Sequence, residues 1–375
     1  MTNFVLPPGI KLLISIIIIG ILTGCSDPQT RLVTISIEDA KFIEIRANDL
    51  QKEITLIPLE TLSTCMIGAQ YMFLDGYPDY YILDQEAKQV FRFGSDGNFL
   101  NTIGKRGKGP GEYNDLYDGI VTKAGVELLT GFPKTEVSYF AKDGSFIKNK
   151  RFLEYASLSF IMEPTSDYYK FYGSGFANKI LLVNKSTGEK VDSMLLSIPG
   201  SKVFRFHPFT QTSIGTILFC ESIINKIYEI KATGIEEKYR LDFGKSNIEQ
   251  DLTNEEFIKK LTDAGIWFTE KVLENDNYLY LSATKYLPDD TSLKNHFIYR
   301  KKDKAMFRFP DTDSFSSALG VAFQMDKNNN LFLPLIPYEA ANSKAWTGYF
   351  EANGLKIKAD DNPVVVKMNI GKSIK

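Results

Sequence analysis

Ten consecutive residues, Gly104-Lys105-Arg106-Gly107-Lys108-Gly109-Pro110-Gly111-Glu112-Tyr113, set three cations among four glycines, a composition able to fold backbone N–H groups around an anion. The run is not a nucleotide P-loop, because no Gly-Lys-Ser/Thr triplet follows at the required spacing. Two uses are open to it. Glycine and proline could shape a tight crossing between strands, or Lys105, Arg106 and Lys108, with Glu112 and Tyr113 beside them, could contact an anionic or sugar-acid ligand. Aromatic residues form a second candidate set. Tyr286, Tyr338, Trp346, Tyr349 and Phe350 fall in long connecting segments, where such rings stack on sugars, anchor a partner, or pack the segment onto its scaffold. Hydrolytic chemistry has little material: there are two histidines, His207 and His296. The absence of His-x-His, His-Glu-x-x-His and Gly-x-Ser-x-Gly argues against His-zinc and serine-hydrolase sites. Asp118 and Glu270 are strand acids that could face a central channel and hold an oxygen-ligated metal. Asp326-Lys327-Asn328-Asn329-Asn330 begins like a calcium loop, but Leu331 takes the glycine position and no distal bidentate Glu follows, so it reads as a turn.

The elements that must position these residues are strands. Apolar residues make up 43% of the 375-residue chain and charged residues 24%, the balance of a globular protein with a large core. The 44 Lys and Arg against 46 Asp and Glu leave no positive excess for a phosphate backbone, so nucleic acid is not an expected partner. With 27 Phe and 19 Tyr, the composition favours pleated, half-buried surfaces. An internal repeat gives those strands an order. Val90-Phe91-Arg92-Phe93-Gly94-Ser95-Asp96-Gly97-Asn98-Phe99-Leu100 aligns with Val137-Ser138-Tyr139-Phe140-Ala141-Lys142-Asp143-Gly144-Ser145-Phe146-Ile147, each reading strand, Asp-Gly turn, strand. The same grammar recurs around Gly188, Gly234, Asp303 and Gly371, making six units.

Each unit has a further strand pair upstream, such as Asn277 to Thr284 or Leu331 to Leu335. Six four-stranded antiparallel units predict an all-β, six-bladed β-propeller. Two insertions interrupt the spacing: a short helix near 252–264, with Thr253 and Glu256 in capping-box register, and a loop over 336–362. The sixth unit ends at the C-terminus without an outer strand. An N-terminal run, Leu32 to Ile37 or Ile54 to Leu59, is therefore expected to close the ring. In such a meander, the connections between blades and the second-to-third-strand loops share one rim. The Gly-rich loop, the helix, the segment from Tyr286 to Leu293 and the 336–362 insertion all fall there, which places the expected binding surface on that rim. Cys65 and Cys220 fall in opposite blades, beyond the roughly 7 Å Cα separation that a disulfide allows, and are expected as separate buried thiols.

The N-terminus supplies an address. Lys11 precedes an apolar run from Leu12 to Leu22, followed by small residues, the layout of a secretory signal. The run is shorter than the roughly 17 residues that a membrane-spanning helix needs. Leu22-Thr23-Gly24-Cys25 resembles the lipobox of bacterial lipoproteins. That resemblance implies a signal peptide over 1–24, acylation of Cys25, and a domain over 25–375 attached to the membrane through its N-terminal lipid. Ser26 resembles the sorting residue of lipoproteins sent to the outer membrane.

The Gly104 to Tyr113 loop also resembles one found in six-bladed β-propeller lipoproteins of Bacteroidetes. Ile57-Pro58-Leu59-Glu60, Tyr239-Arg240-Leu241-Asp242-Phe243-Gly244 and Asp361-Asn362-Pro363-Val364-Val365-Val366 agree in order. The resemblance covers about residues 50 to 372. It implies a lipid-anchored binding or scaffolding module of the cell envelope that recognises a glycan, peptide or protein, with no cofactor and no assigned activity. The competing expectation is a metal-dependent hydrolase or lyase of propeller-lactonase type, with its site in the central channel.

Overall fold

The two Asp-Gly pairs turn the chain as the repeat predicts. Gly97 and Gly144 sit at φ 88° and 89°, where glycine meets no steric penalty. Asp96 Oδ1 accepts the Asn98 N–H at 3.1 Å and Asp143 Oδ1 that of Ser145 at 2.9 Å. A second constraint fixes glycine at both turns. A Cβ on Gly97 would stand 2.1 Å from the Pro58 carbonyl oxygen, and one on Gly144 2.3 Å from that of Thr102. Each turn is wedged against the outer strand of the preceding blade, so the repeat encodes both its own hairpin and its docking to a neighbour.

The computed structural model describes residues 32–38, 42–45, 47–154, 156–163, 166–173, 178–196, 207–231, 234–289, 291–309 and 315–374. Cys25 and the expected signal peptide lie outside them. The described residues form a six-bladed β-propeller, each blade built on a four-stranded antiparallel meander. From the inner strand outward, blade 1 is Tyr71–Leu74, Tyr80–Asp84, Gln89–Phe93 and Phe99–Ile103, and blade 2 is Leu116–Val121, Val126–Thr130, Thr135–Phe140 and Phe146–Leu153. Blade 3 is Ser159–Ile161, Tyr168–Tyr172, Asn178–Asn184 and Lys190–Leu196, and blade 4 is Phe209–Gln211, Ile217–Cys220, Lys226–Lys231 and Gly234–Asp242. Blade 5 is Ile266–Glu274, Tyr278–Tyr286, Ser292–Arg300 and Ala305–Arg308. Inner strands of successive blades touch around the ring. Phe73 of blade 1 completes it by stacking on Phe323, just ahead of blade 6, with ring centroids 4.1 Å apart.

Blade 6 combines both ends of the chain. Gln324–Met325, Asn330–Leu335 and Val364–Asn369 are completed by Ile54–Pro58, paired antiparallel from Val364 opposite Pro58 to Met368 opposite Ile54. The second of the two N-terminal runs thus closes the ring. The first does something the repeat did not announce: Val33–Ser36 adds to the outside of blade 4, parallel to Gly234–Asp242. Ile43–Glu44 adds in the same way to blade 5. Ile35 and Ile37 are buried against Leu241, Phe243 and Trp267, so apolar burial as well as strand pairing holds this wrap.

The ordered motifs of the sequence meet along that wrap. Tyr239 to Asp242 pairs with Val33–Ser36. Asn362 ties the closure, its Nδ2 donating to the carbonyls of Glu60 at 2.8 Å and Cys65 at 2.9 Å while its Oδ1 accepts the Ile67 N–H at 2.9 Å. The helix Asn254–Ala264 carries the expected capping box between Thr253 and Glu256. The 336–362 insertion, expected as a loop, contains two helices, Pro337–Ala341 and Lys344–Ala352. Gly371 lies in a helical turn, Ile370–Ser373, rather than a hairpin. Cys65 and Cys220 are both buried.

Candidate functional site

Two rims can be distinguished. The connection rim carries the links between blades and the second-to-third-strand loops; the turn rim carries the other hairpin turns. The inner strands enclose a channel cavity of about 560 Å³. Its wall includes Asp75, the turn residues Thr122, Lys123 and Ala124, Met162 and Gln211. These stand at the turn-rim ends of inner strands or just after them, while Ser159 and His207, which also line the cavity, stand at the connection-rim ends, so the cavity runs along the channel.

Asp118 is the best-held polar group of the wall. A register shift between Leu116 and Asp118 is the kind of bulge that re-aims a strand side chain. The Asp118 side chain is buried, with Oδ1 accepting the Gly119 N–H at 2.8 Å and Oδ2 accepting Ser159 Oγ–H at 2.5 Å and the Phe160 N–H at 3.1 Å. His207, just before the inner strand of blade 4, places Nδ1 3.3 Å from Asp118 Oδ1. Among the described residues that nitrogen has no hydrogen-bond partner, so the carboxyl lies beside the imidazole without a hydrogen bond to orient it. Blade 5 has a matching shift between Thr269 and Lys271. Lys271 lines the cavity, while Glu270 accepts the hydroxyls of Ser282 at 2.8 Å and Thr284 at 2.9 Å. Of the two acids expected at a channel metal, Asp118 lines the cavity and Glu270 turns into its own sheet. Among the described residues, no group of three His, Cys, Asp or Glu is placed to hold a metal ion.

The remaining wall is electrically balanced. Asp75 is open to the lumen yet surrounded by protein, and this burial pushes its carboxyl up while Lys271 pulls it back. Glu127 pairs with Lys185 at 2.5 Å and accepts the Tyr169 hydroxyl, which is also 3.0 Å from that of Tyr139. Burial, reinforced by Glu127, raises the Tyr169 phenol. Asp75, Asp118 and Glu127 thus share the wall with Lys123, Lys185 and Lys271, interspersed with Phe73, Phe209 and Phe323.

The Gly-rich loop is occupied by its own anion. Glu112 Oε2 accepts the Gly109 N–H at 2.9 Å, and Oε1 lies 3.0 Å from Lys105 Nζ. The Gly109 hydrogen bond and then Lys105 hold this carboxyl below its usual range. A Cβ on Gly107 would stand 2.0 Å from Glu112 Oε2, so glycine is needed for the carboxylate to seat. Arg106 and Lys108 are exposed. Tyr113 is buried beneath Gly104, whose added Cβ would meet its hydroxyl at 2.4 Å, and burial raises its phenol.

The aromatic set is corrected in part. Trp346 is fully buried, stacked on Phe315 with centroids 5.0 Å apart and donating Nε1–H to the Phe315 carbonyl at 3.1 Å. It offers no face to a sugar, because the helix that carries it directs its apolar side into the core. Tyr349 is half-buried edge-on to Trp346, and Tyr286 is 44% exposed over Phe268. Sequence reasoning passed over His207 as a site residue. Its partner lies in a blade two positions away, and its place ahead of an inner strand was the signal available.

A ring of six four-stranded blades around a charge-lined channel defines the class, a six-bladed β-propeller. Within that class, the chain belongs to a family described as a domain of unknown function, DUF4934, whose pattern matches residues 32–369. Curated proteins give no match. Among solved structures, the chain is similar to a candidate exported protein from Bacteroides fragilis, with a TM-score of 0.68 at 14% identity over 90% of this chain and 99% of that one. It is also similar to a DUF4221 family member from Bacteroides vulgatus, with a TM-score of 0.53 at 10% identity over 85% and 98% of the two chains. At these identities the likeness concerns the fold.

Proposed function

We propose that the protein is a binding propeller of the bacterial cell envelope, acylated at Cys25 and sorted to the outer membrane, whose channel takes a neutral or zwitterionic polar ligand. A glycan segment or a short peptide end fits that description. One observation carries it: the cavity of about 560 Å³ balances three carboxyl side chains with three lysines beside phenylalanine rings. Such a wall gives little net attraction to a polyanion, but it can hydrogen-bond a many-hydroxyl or dipolar molecule while an aromatic face packs against it.

Calorimetric titration of neutral oligosaccharides and short peptides into the purified protein tests this. Saturable binding lost in Lys271→Ala and kept in the double variant Lys105→Ala, Lys108→Ala is expected. Binding lost in the double variant and kept in Lys271→Ala would move the site to the connection rim. The contact between Asp118 and His207 favours a second reading, in which the channel performs a proton-transfer step on its ligand. Turnover abolished in His207→Ala with binding retained would establish that reading.

A further inference from the structure

Two outer strands of this ring already accept an added segment. Val33–Ser36 adds to blade 4 and Ile43–Glu44 to blade 5, and a carboxylate accompanies each addition: Glu38 pairs with Lys285 at 2.9 Å, and Glu44 pairs with Arg308. Of the four remaining outer edges, two are closed by the next blade. Gly97 lies so close to the Pro58 carbonyl of blade 6, and Gly144 to the Thr102 carbonyl of blade 1, that neither has room for a Cβ. The outer strand of blade 3, Lys190–Leu196, carries charges of both signs and is broken near its end by Leu195 at φ 57°.

Blade 2 differs from all of these. Its outer strand, Phe146–Leu153, has eight residues, and among the described residues no strand pairs with its free edge. The turn of the next blade is held off it. Lys150 Nζ donates to the carbonyls of Lys185 and Ser186, so the atoms nearest a Cβ on Gly188 would be those of the Lys150 side chain, at 3.6 Å and 3.7 Å, and not backbone. Phe146, Ile147, Lys148, Asn149 and Arg151 are exposed. Lys148 and Lys150 lie over the rings of Tyr139 and Phe152, at 5.0 Å and 4.9 Å, and strand alternation puts Arg151 on the other face. Among the described residues none of these three cations forms an ion pair, and the neighbouring Glu154 pairs with Lys134. A second copy brought to this edge would set cations opposite cations, which destabilises a cross-strand pairing. A strand bearing carboxylates meets no such barrier, and its apolar side chains can cover Ile147.

We propose that the outer edge of blade 2 is a docking site for an acidic, extended segment of another protein, which adds a fifth strand beside residues 146–151 and sets its carboxylates against Lys148, Lys150 and Arg151. Six residues of pairing span roughly 20 Å. Backbone hydrogen bonds supply the attachment and the cations select the sequence, the mode of recognition by strand addition. The site is separate from the channel and does not depend on it.

The test titrates the full chain with an alternating Thr-Glu peptide long enough to cover the strand, and with the same peptide methylated at every backbone nitrogen, which keeps the charge and removes the donors of the ladder. The unmodified peptide is expected to bind saturably and to slow hydrogen exchange of the amides within 146–151, and the methylated peptide to do neither. The double variant Lys148→Glu, Arg151→Glu should weaken binding at least about ten-fold and prefer an alternating Thr-Lys peptide, while Lys271→Ala, in the channel, should leave edge binding intact. Equal affinity for the two acidic peptides, or binding without slowed exchange at 146–151, would overturn strand addition. Absence of saturable binding would overturn the site itself. A dimer in sedimentation, protected at 146–151 without any peptide, would make a second copy the occupant and overturn the acidic partner.

Discussion

His296 offers a perturbation whose size follows from its surroundings. It lies in the third strand of blade 5, fully buried, with Nδ1 2.7 Å from the Tyr280 hydroxyl. That hydroxyl in turn accepts the Ala322 N–H at 3.2 Å. The ring also packs against Phe309, with centroids 5.4 Å apart. Burial, and then the charge of Lys294, lower its pKa from 6.5 to about 3. The folded ring refuses a proton that the unfolded chain accepts below about pH 6.5. Its contribution is therefore intact at neutral pH and is lost progressively as the pH falls toward 3. Between pH 7 and pH 4 the loss amounts to about 3 kcal/mol. His296→Asn keeps an acceptor near Nδ1 for Tyr280 and removes the titrating ring. Urea-unfolding midpoints of both proteins at pH 7 and pH 4 isolate the effect, because the carboxyl groups titrate alike in each. The wild type should lose about 3 kcal/mol more than the variant over this interval. Parallel losses in the two proteins would refute the assignment of a buried, neutral imidazole.

Three further outcomes follow from other parts of the ring. Removing residues 26–60 should leave Val364–Asn369 without its outer partner and produce aggregation or proteolysis of the chain; a soluble product of unchanged melting temperature would contradict closure through this strand. Trp346→Ala should cost about 3–5 kcal/mol in denaturant titrations, since the indole is wholly buried against Phe315; a loss below about 0.5 kcal/mol would place it on the surface instead. Glu274 is buried between Lys301 at 2.6 Å and Lys238 at 3.0 Å. Burial raises its carboxyl, but these two lysines and the Tyr239 hydroxyl outweigh that and lower it on balance. Glu274→Ala should strand both cations and cost about 3–5 kcal/mol at neutral pH. Because the folded pKa is lowered, the wild-type advantage should shrink as acid protonates the carboxyl, and an advantage independent of pH would speak against the ion pairs.

What the sequence determined by itself was local and periodic. Two Asp-Gly pairs specify hairpins because the turn needs a positive φ, and the strand-turn-strand grammar they set gives six units, although Gly371 lies in a helical turn rather than a hairpin. Thr253 and Glu256 announce a helix start because both partners of a capping box lie within one turn. A sixth unit without an outer strand requires that strand from elsewhere. Tertiary structure decided everything that depended on which distant segments meet. It selected Ile54–Pro58 over Val33–Ser36 as the closing strand, since the former alone reaches blade 6, while the latter finds its apolar partners on blade 4. It filled the Gly-rich cradle with Glu112, a choice that composition cannot distinguish from an external anion. It buried Trp346, because an aromatic suited to a ligand is equally suited to a core, and only the packing partner separates the two. It brought His207 to Asp118 across blade 3, since ring curvature, not spacing along the chain, sets which inner-strand side chains converge on the channel.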